Sequence, residues 1–180
     1  MDIKSIFGLP AHPLLVHVPV VLLPLTAIGA VLMLWESWRR RIGWIVVGMC
    51  FASGIFVQLA IGSGQQLRQY VRRSAALHQH AQLADQLRPF VLLLFLVLLG
   101  VMALDWYRQR DPEAGPHLPG WLRSHGLATA MGIFAIVVAA GTLTWVFRTG
   151  DSGAKATWER TQQKMDRGEG GEVPGGDSNR

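Results

Sequence analysis

Hydrophobic positions in this chain come in long unbroken runs. Four of them extend from about Leu14 to Trp35, Ile42 to Ile61, Pro89 to Trp106 and Leu127 to Phe147. At a rise of about 1.5 Å per residue, roughly 20 apolar residues carry a helix across a hydrocarbon layer of ~30 Å. Only helices and closed barrels satisfy their backbone in lipid, and these runs are too long and continuous for barrel strands. The pattern predicts an all-α, four-helix transmembrane bundle. The first run is longer than a usual signal-peptide core and lacks a strong basic flank, so it is read as a retained anchor.

The polar segments set the connections. "ESWRRRIGW" is short enough to make spans one and two antiparallel neighbours. Pro13 suits the first turn of span one, whereas Pro19 and Pro24 remove backbone donors and predict a kink near its start. In span two, Gly48 and Ala52 lie four apart, a spacing that lets another helix approach closely. Residues 65–88 are polar, yet Leu67, Tyr70, Ser74, Leu77, Ala81, Ala84 and Leu87 recur at threes and fours. That periodicity predicts amphipathic helical extensions between spans two and three, broken near Arg73–Ser74. Pro89 then opens or kinks span three.

"RQRDPEAGPHLPG" is a loop by its prolines and glycines. The stretch 159–180 is polar and glycine-rich, cannot bury enough surface to offset its ordering entropy, and is expected to be disordered. Residues 1–158 therefore form the membrane domain and 159–180 a polar tail. No internal repeat is evident.

Composition sharpens this picture. Only 16% of residues are charged, against about a quarter in soluble domains. The net charge of +5 reflects arginines flanking the spans, so the expected partner is a lipid bilayer and not nucleic acid. Cys50 is the only cysteine, which excludes an internal disulfide, c-type haem attachment and a cysteine-held iron–sulfur cluster. No Gly-x-Ser-x-Gly, His-Glu-x-x-His, phosphate loop or paired carboxylates are present, so nothing marks a hydrolase or nucleotide enzyme.

Four spans put both termini and the 65–88 segment on one side. The triple arginine Arg39–Arg41 favours cytoplasmic placement of the opposite loops, while raw Lys/Arg counts favour the reverse. The reading adopted here is periplasmic termini in a bacterial inner membrane. Trp35, Trp38, Trp44, Trp106 and Trp121 form an aromatic belt at the loop side. Asp105, beside Trp106 and Arg108, reads as an interfacial salt bridge.

The candidate chemistry lies in histidines. "AHPLLVHVP" places His12 and His17 where the chain meets the membrane, and a histidine near hydrocarbon needs a partner, a cavity or a job. On a helix through 77–91, His80 shares a face with Leu77, Ala84, Leu87 and Val91 and points into the bundle. His78 lies about 200° away, towards Gln82, Asp85 and water. His12, His17 and His80 thus form a candidate cofactor-binding cluster, with His17 and His80 as metal or haem b iron ligands and His12 as a neighbouring or alternative ligand. A structural alternative has His12 capping its helix, His17 bonding a carbonyl freed by Pro19, and His80 joining helices. A divalent-metal or proton site is a third reading. His117 and His125 lie towards the other side.

Four pieces in this order carry a resemblance: "GLPAHPLLVHVPVVLLPL", the small-rich second span, "VRRSAALHQHAQLADQL" and "RTGDSGAKATW". Over about residues 8–158 the chain resembles the bacterial four-helix membrane family catalogued as domain of unknown function 2231. The His-Pro-x-x-x-His-x-Pro start and the closing Thr-Gly-x-x-Gly-Ala element are its most specific motifs. Some relatives join this domain to Rieske iron–sulfur or cytochrome-like domains. The resemblance therefore implies redox surroundings, with a membrane redox partner or a second copy of the chain as candidate partners. In the Rieske-fused branch the position matching His17 can be glutamine, while the match to His12 remains. His80, and not His78, resembles the recurring histidine, and many relatives have histidine where this chain has Asp151.

Overall fold

A computed structural model describes residues 5–6, 9–67, 75–110 and 125–167. A two-residue antiparallel pairing, β1 (Ser5–Ile6) with β2 (Leu9–Pro10), precedes four long helices. These are α1 (Ala11–Leu32), α2 (Glu36–Leu67), α3 (Ala75–Arg110) and α4 (His125–Asp166). All four are long and apolar enough to cross a membrane. The expected all-α four-helix bundle is what the chain forms.

The order of packing follows from the connections. The α1–α2 turn is tight: Leu34 N–H bonds Val31 O at 3.1 Å and Trp35 N–H bonds Leu32 O at 3.2 Å. Such i to i−3 bonds close a helix end. Arg39 N–H then bonds Trp35 O at 2.9 Å to start α2. Glu36 sits in that first turn, where its charge complements the helix dipole. α1 packs most extensively on α2 and α3 on α4; α2 touches α3 and α4 touches α1. The molecule is two helical hairpins side by side, with α1 and α3 on one diagonal.

Inward positions hold Leu23, Val46, Cys50, Leu94, Leu98 and Ala135, each nearly sealed from the surface. Outward positions are just as apolar: Val21, Ile28, Ile45, Phe51, Leu92, Leu96 and Val137 are exposed. In water this would be an aggregation liability; in a bilayer the lipid chains cover it. The polar side chains at the centre are hydroxyls satisfied within their own helix. Thr26 donates to Leu22 O at 2.7 Å, Ser53 to Met49 O at 2.8 Å and Thr142 to Val138 O at 2.8 Å.

Several local expectations change. Pro19, Pro24 and Pro89 all lie within continuous helices, so Pro89 does not open span three; α3 begins at Ala75 and carries the predicted amphipathic extension into the span. The break near Arg73–Ser74 lies outside the described residues, as do most of the "RQRDPEAGPHLPG" loop and 168–180. α4 continues to Asp166, past the boundary at 158 set from composition.

Gly48 is exposed and has open space where a Cβ would stand. The close helix approach in this hairpin occurs instead at Gly29, where a Cβ would come within 2.5 Å of Val46 Cγ2 and 3.1 Å of Cγ1. Valine has little rotamer freedom in a helix. Gly29→Ala is therefore expected to destabilise the bundle by about 1–3 kcal/mol, whereas Gly48→Ala should be neutral or mildly stabilising. Unfolding of both variants in mixed detergent micelles checks the pair.

Candidate functional site

Two histidines meet where α1 and α3 begin. His12 lies in the first turn of α1, half-buried against the end of α2. Its Nδ1 is 2.8 Å from Ala60 O and 3.5 Å from Ser63 Oγ, and that hydroxyl itself donates to Ala60 O at 2.9 Å. His80, also half-buried, lies in the second turn of α3 against α4. Its Nδ1 is 3.0 Å from Thr149 O and 3.1 Å from Ser152 Oγ, and Ser152 donates to Thr149 O at 2.8 Å. The ring centroids of His12 and His80 are 6.3 Å apart, with planes at 85°. The helices carrying them are diagonal partners, so the rings meet near the bundle axis.

The bonding fixes the tautomers. A carbonyl oxygen has no proton to give, so Nδ1 of each neutral ring must be the N–H that donates to it. Each Nε2 then carries the free lone pair, and no hydrogen bond to either Nε2 occurs among the described residues. A backbone carbonyl on Nδ1–H is the support commonly found behind a metal-ligating imidazole.

Glycines let the rings sit this deep. A Cβ at Gly64 would stand 3.1 Å from both Cε1 and Nδ1 of His12; one at Gly153 would stand 3.0 Å from Cε1 of His80. Thr149 adds a buried Oγ1 with no hydrogen-bond partner, next to the carbonyl that holds His80.

The other candidates fall elsewhere. His17 is exposed on α1 and its Nδ1 turns back to Pro13 O at 2.5 Å, not to the carbonyl that Pro19 leaves free. His12 and His80 are thus brought together, and His17 does not join them. His78 faces outward and meets Gln82 at 3.1 Å, as its spacing implied. Asp151 is exposed and pairs with Lys155 at 2.7 Å. His117 lies outside the described residues, as does the side chain of His125. Among the described residues no three His, Cys, Asp or Glu side chains gather as metal ligands. Sequence reasoning missed Ser63, Gly64, Ser152 and Gly153; the Ser-Gly doublet late in both second helices was the available signal.

The opposite end of the bundle is closed by charge. Arg39 grips Asp105 Oδ1 through Nε at 3.1 Å and Nη2 at 3.0 Å, and Nη1 donates to Met33 O at 3.3 Å. The salt bridge expected of Asp105 exists, made with Arg39. The surrounding Trp35, Trp38, Trp44 and Trp106 are all exposed, which suits the interfacial belt.

Fold and site together define a multi-pass, four-helix membrane protein with two imidazoles set close together, nearly at right angles, at one end. Residues 8–164 match the family model described as predicted membrane protein (DUF2231). The chain belongs to that family. No curated protein and no solved structure matches it.

Proposed function

We propose that this protein holds a transition-metal centre between His12 and His80, and that haem b iron is the form suited to it. The observation that carries this reading is the matched pair of rings, each tied at Nδ1 by a backbone carbonyl, their centroids 6.3 Å apart. Zinc commonly takes four ligands; haem iron asks the protein for two axial ones. The ring centroids lie 6.3 Å apart, so His12 and His80 would be the residues to hold such a centre. Bound haem would supply one-electron chemistry. The chain's own residues would orient the donors: Ala60 O and Thr149 O fix the tautomers, Ser63 and Ser152 steady the bonds, and Gly64 and Gly153 admit the rings. In this reading the protein is an accessory to a membrane redox partner, in a bacterial inner membrane with periplasmic termini; the Arg39–Arg41 run supports that orientation.

The test is the oxidised and dithionite-reduced absorption spectrum of the detergent-purified chain expressed with haem supply, with elemental analysis. A reduced α-band and about one iron per chain are expected. A colourless, metal-free, folded preparation removes the reading.

One observation favours a second reading. Each Nδ1 bond closes its own hairpin, α1 on α2 and α3 on α4, so the histidines would then be clasps only. That version predicts a colourless protein in which His12→Ala or His80→Ala costs roughly 0.5–1.5 kcal/mol of stability, the net worth of one hydrogen bond.

A further inference from the structure

Buried positions of one hairpin recur at fixed spacings in the other. An offset of 68 positions carries α1 onto α3: His12 onto His80, Leu23 onto Val91, Thr26 onto Leu94, Ala30 onto Leu98 and Met33 onto Val101. Every member of the last four pairs is buried. An offset of 89 carries α2 onto α4: Val46 onto Ala135, Cys50 onto Ala139, Ser53 onto Thr142, and Ser63-Gly64 onto Ser152-Gly153. All of these but the two glycines are buried, and the glycines are alike half-buried.

The contacts repeat as well. Ser53 bonds Met49 O, and Thr142 bonds Val138 O, its counterpart. A Cβ at Gly43 in α2 would strike Met102, buried in α3, and one at Gly132 in α4 would strike Leu34, just past α1. Gly132 is the match of Gly43 at one offset, and Met102 of Leu34 at the other. These two contacts cross between hairpins, so the operation relates the halves of the whole bundle. Both hairpins start on the same side, which puts the relating axis along the membrane normal.

We propose that the membrane domain is a duplicated helical hairpin, and that His12-Ser63-Gly64 and His80-Ser152-Gly153 are equivalent halves of one site astride its pseudo-twofold axis. Resting on the two-imidazole reading, the ligand class is a single metal centre that accepts the same donor from two opposite sides. Ser63 and Ser152 are positioning residues: each hydroxyl contacts the Nδ1 that presents a lone pair at Nε2. Gly64 and Gly153 set how deep each ring lies. The halves differ at Ala60 and Thr149, whose carbonyls do the same work while only Thr149 brings the orphaned hydroxyl.

The experiment titrates ferric haemin into the full chain in detergent and, separately, follows melting of the haemin-free protein. It compares Ser63→Ala with Ser152→Ala and Gly64→Ala with Gly153→Ala. Each variant should weaken haemin about 10–100-fold, the usual cost of losing support behind a metal ligand. Partners should agree within about threefold, and threonine at either serine position, which keeps the hydroxyl, should restore binding. A pair in which one member loses tenfold and its match nothing overturns the equivalence, while the two-imidazole reading stands. A wild-type chain that binds no haemin removes that reading and the ligand with it. Melting then decides the duplication: matched shifts within each pair keep it, and unmatched shifts overturn it.

Discussion

Asp105→Ala should cost the folded bundle about 3–5 kcal/mol, the largest stability loss expected from any single truncation outside the apolar core. The figure follows from what is left behind. Arg39 and Asp105 are both nearly buried, with side chains 11% and 7% exposed, so removing the carboxylate strands a guanidinium among apolar side chains of α2 and α3. The pair also spans the two hairpins. The surface pairs Glu36–Arg40, Asp85–Arg88 and Asp151–Lys155 lie within single helices and should each be worth a few tenths of a kcal/mol. The decisive comparison is the double variant Arg39→Met/Asp105→Leu. Replacing both charges with apolar side chains of similar length should recover most of the loss, since a buried pair often adds little over a packed hydrophobic one. Detergent-micelle unfolding of the four proteins closes the cycle. A single variant as stable as wild type would mean that Arg39 escapes to the interface when released.

His12→Ala and His80→Ala should each abolish the reduced α-band of a haem-loaded preparation, and His17→Ala should leave it unchanged. Loss of a ligand outweighs the roughly 10–100-fold that its supporting bonds contribute. His17 is the informative control. The sequence alone pairs it with His80, because it lies about a turn inside the span. The structure instead turns its ring back on Pro13 and leaves it exposed. A spectrum lost with His17 and kept without His12 would return the ligand assignment to the pairing inferred from position along the helix.

Much of the fold was legible because lipid makes the signal simple. A run such as Pro89 to Trp106 has one reading once its length is known, and the short α1–α2 turn fixes the first antiparallel pair. The facing of His80 was legible for the same reason: Leu77, Ala84 and Leu87 define a stripe, and His80 lies on it. Helix periodicity is local, so such assignments succeed. The His12–Ala60 bond could not be read this way, because it depends on the angle between two helices and on glycine at position 64. Gly48 misled for a related reason. Small residues at i and i+4 permit a close approach without saying on which face it occurs, and here it occurs at Gly29.

The internal duplication stayed hidden because few of its paired positions share an identity. Thr26 pairs with Leu94 and Cys50 with Ala139; what repeats is burial, and burial is not printed in a single sequence. The two offsets, 68 and 89, also differ by 21 residues, the extra length of the second hairpin's connection. A search at one fixed spacing would miss half of the correspondence.

The two ends of this bundle differ in a way that bears on what can move through it. His12 and His80 stand within the first turns of their helices, at one rim. The far rim is stoppered by Arg39 and Asp105, with sealed apolar side chains between. A hydrocarbon layer of ~30 Å separates such rims. A centre held by His12 and His80, as proposed above, would therefore lie at the rim opposite the Arg39–Asp105 pair. On the proposed reading the site is served from one face of the membrane.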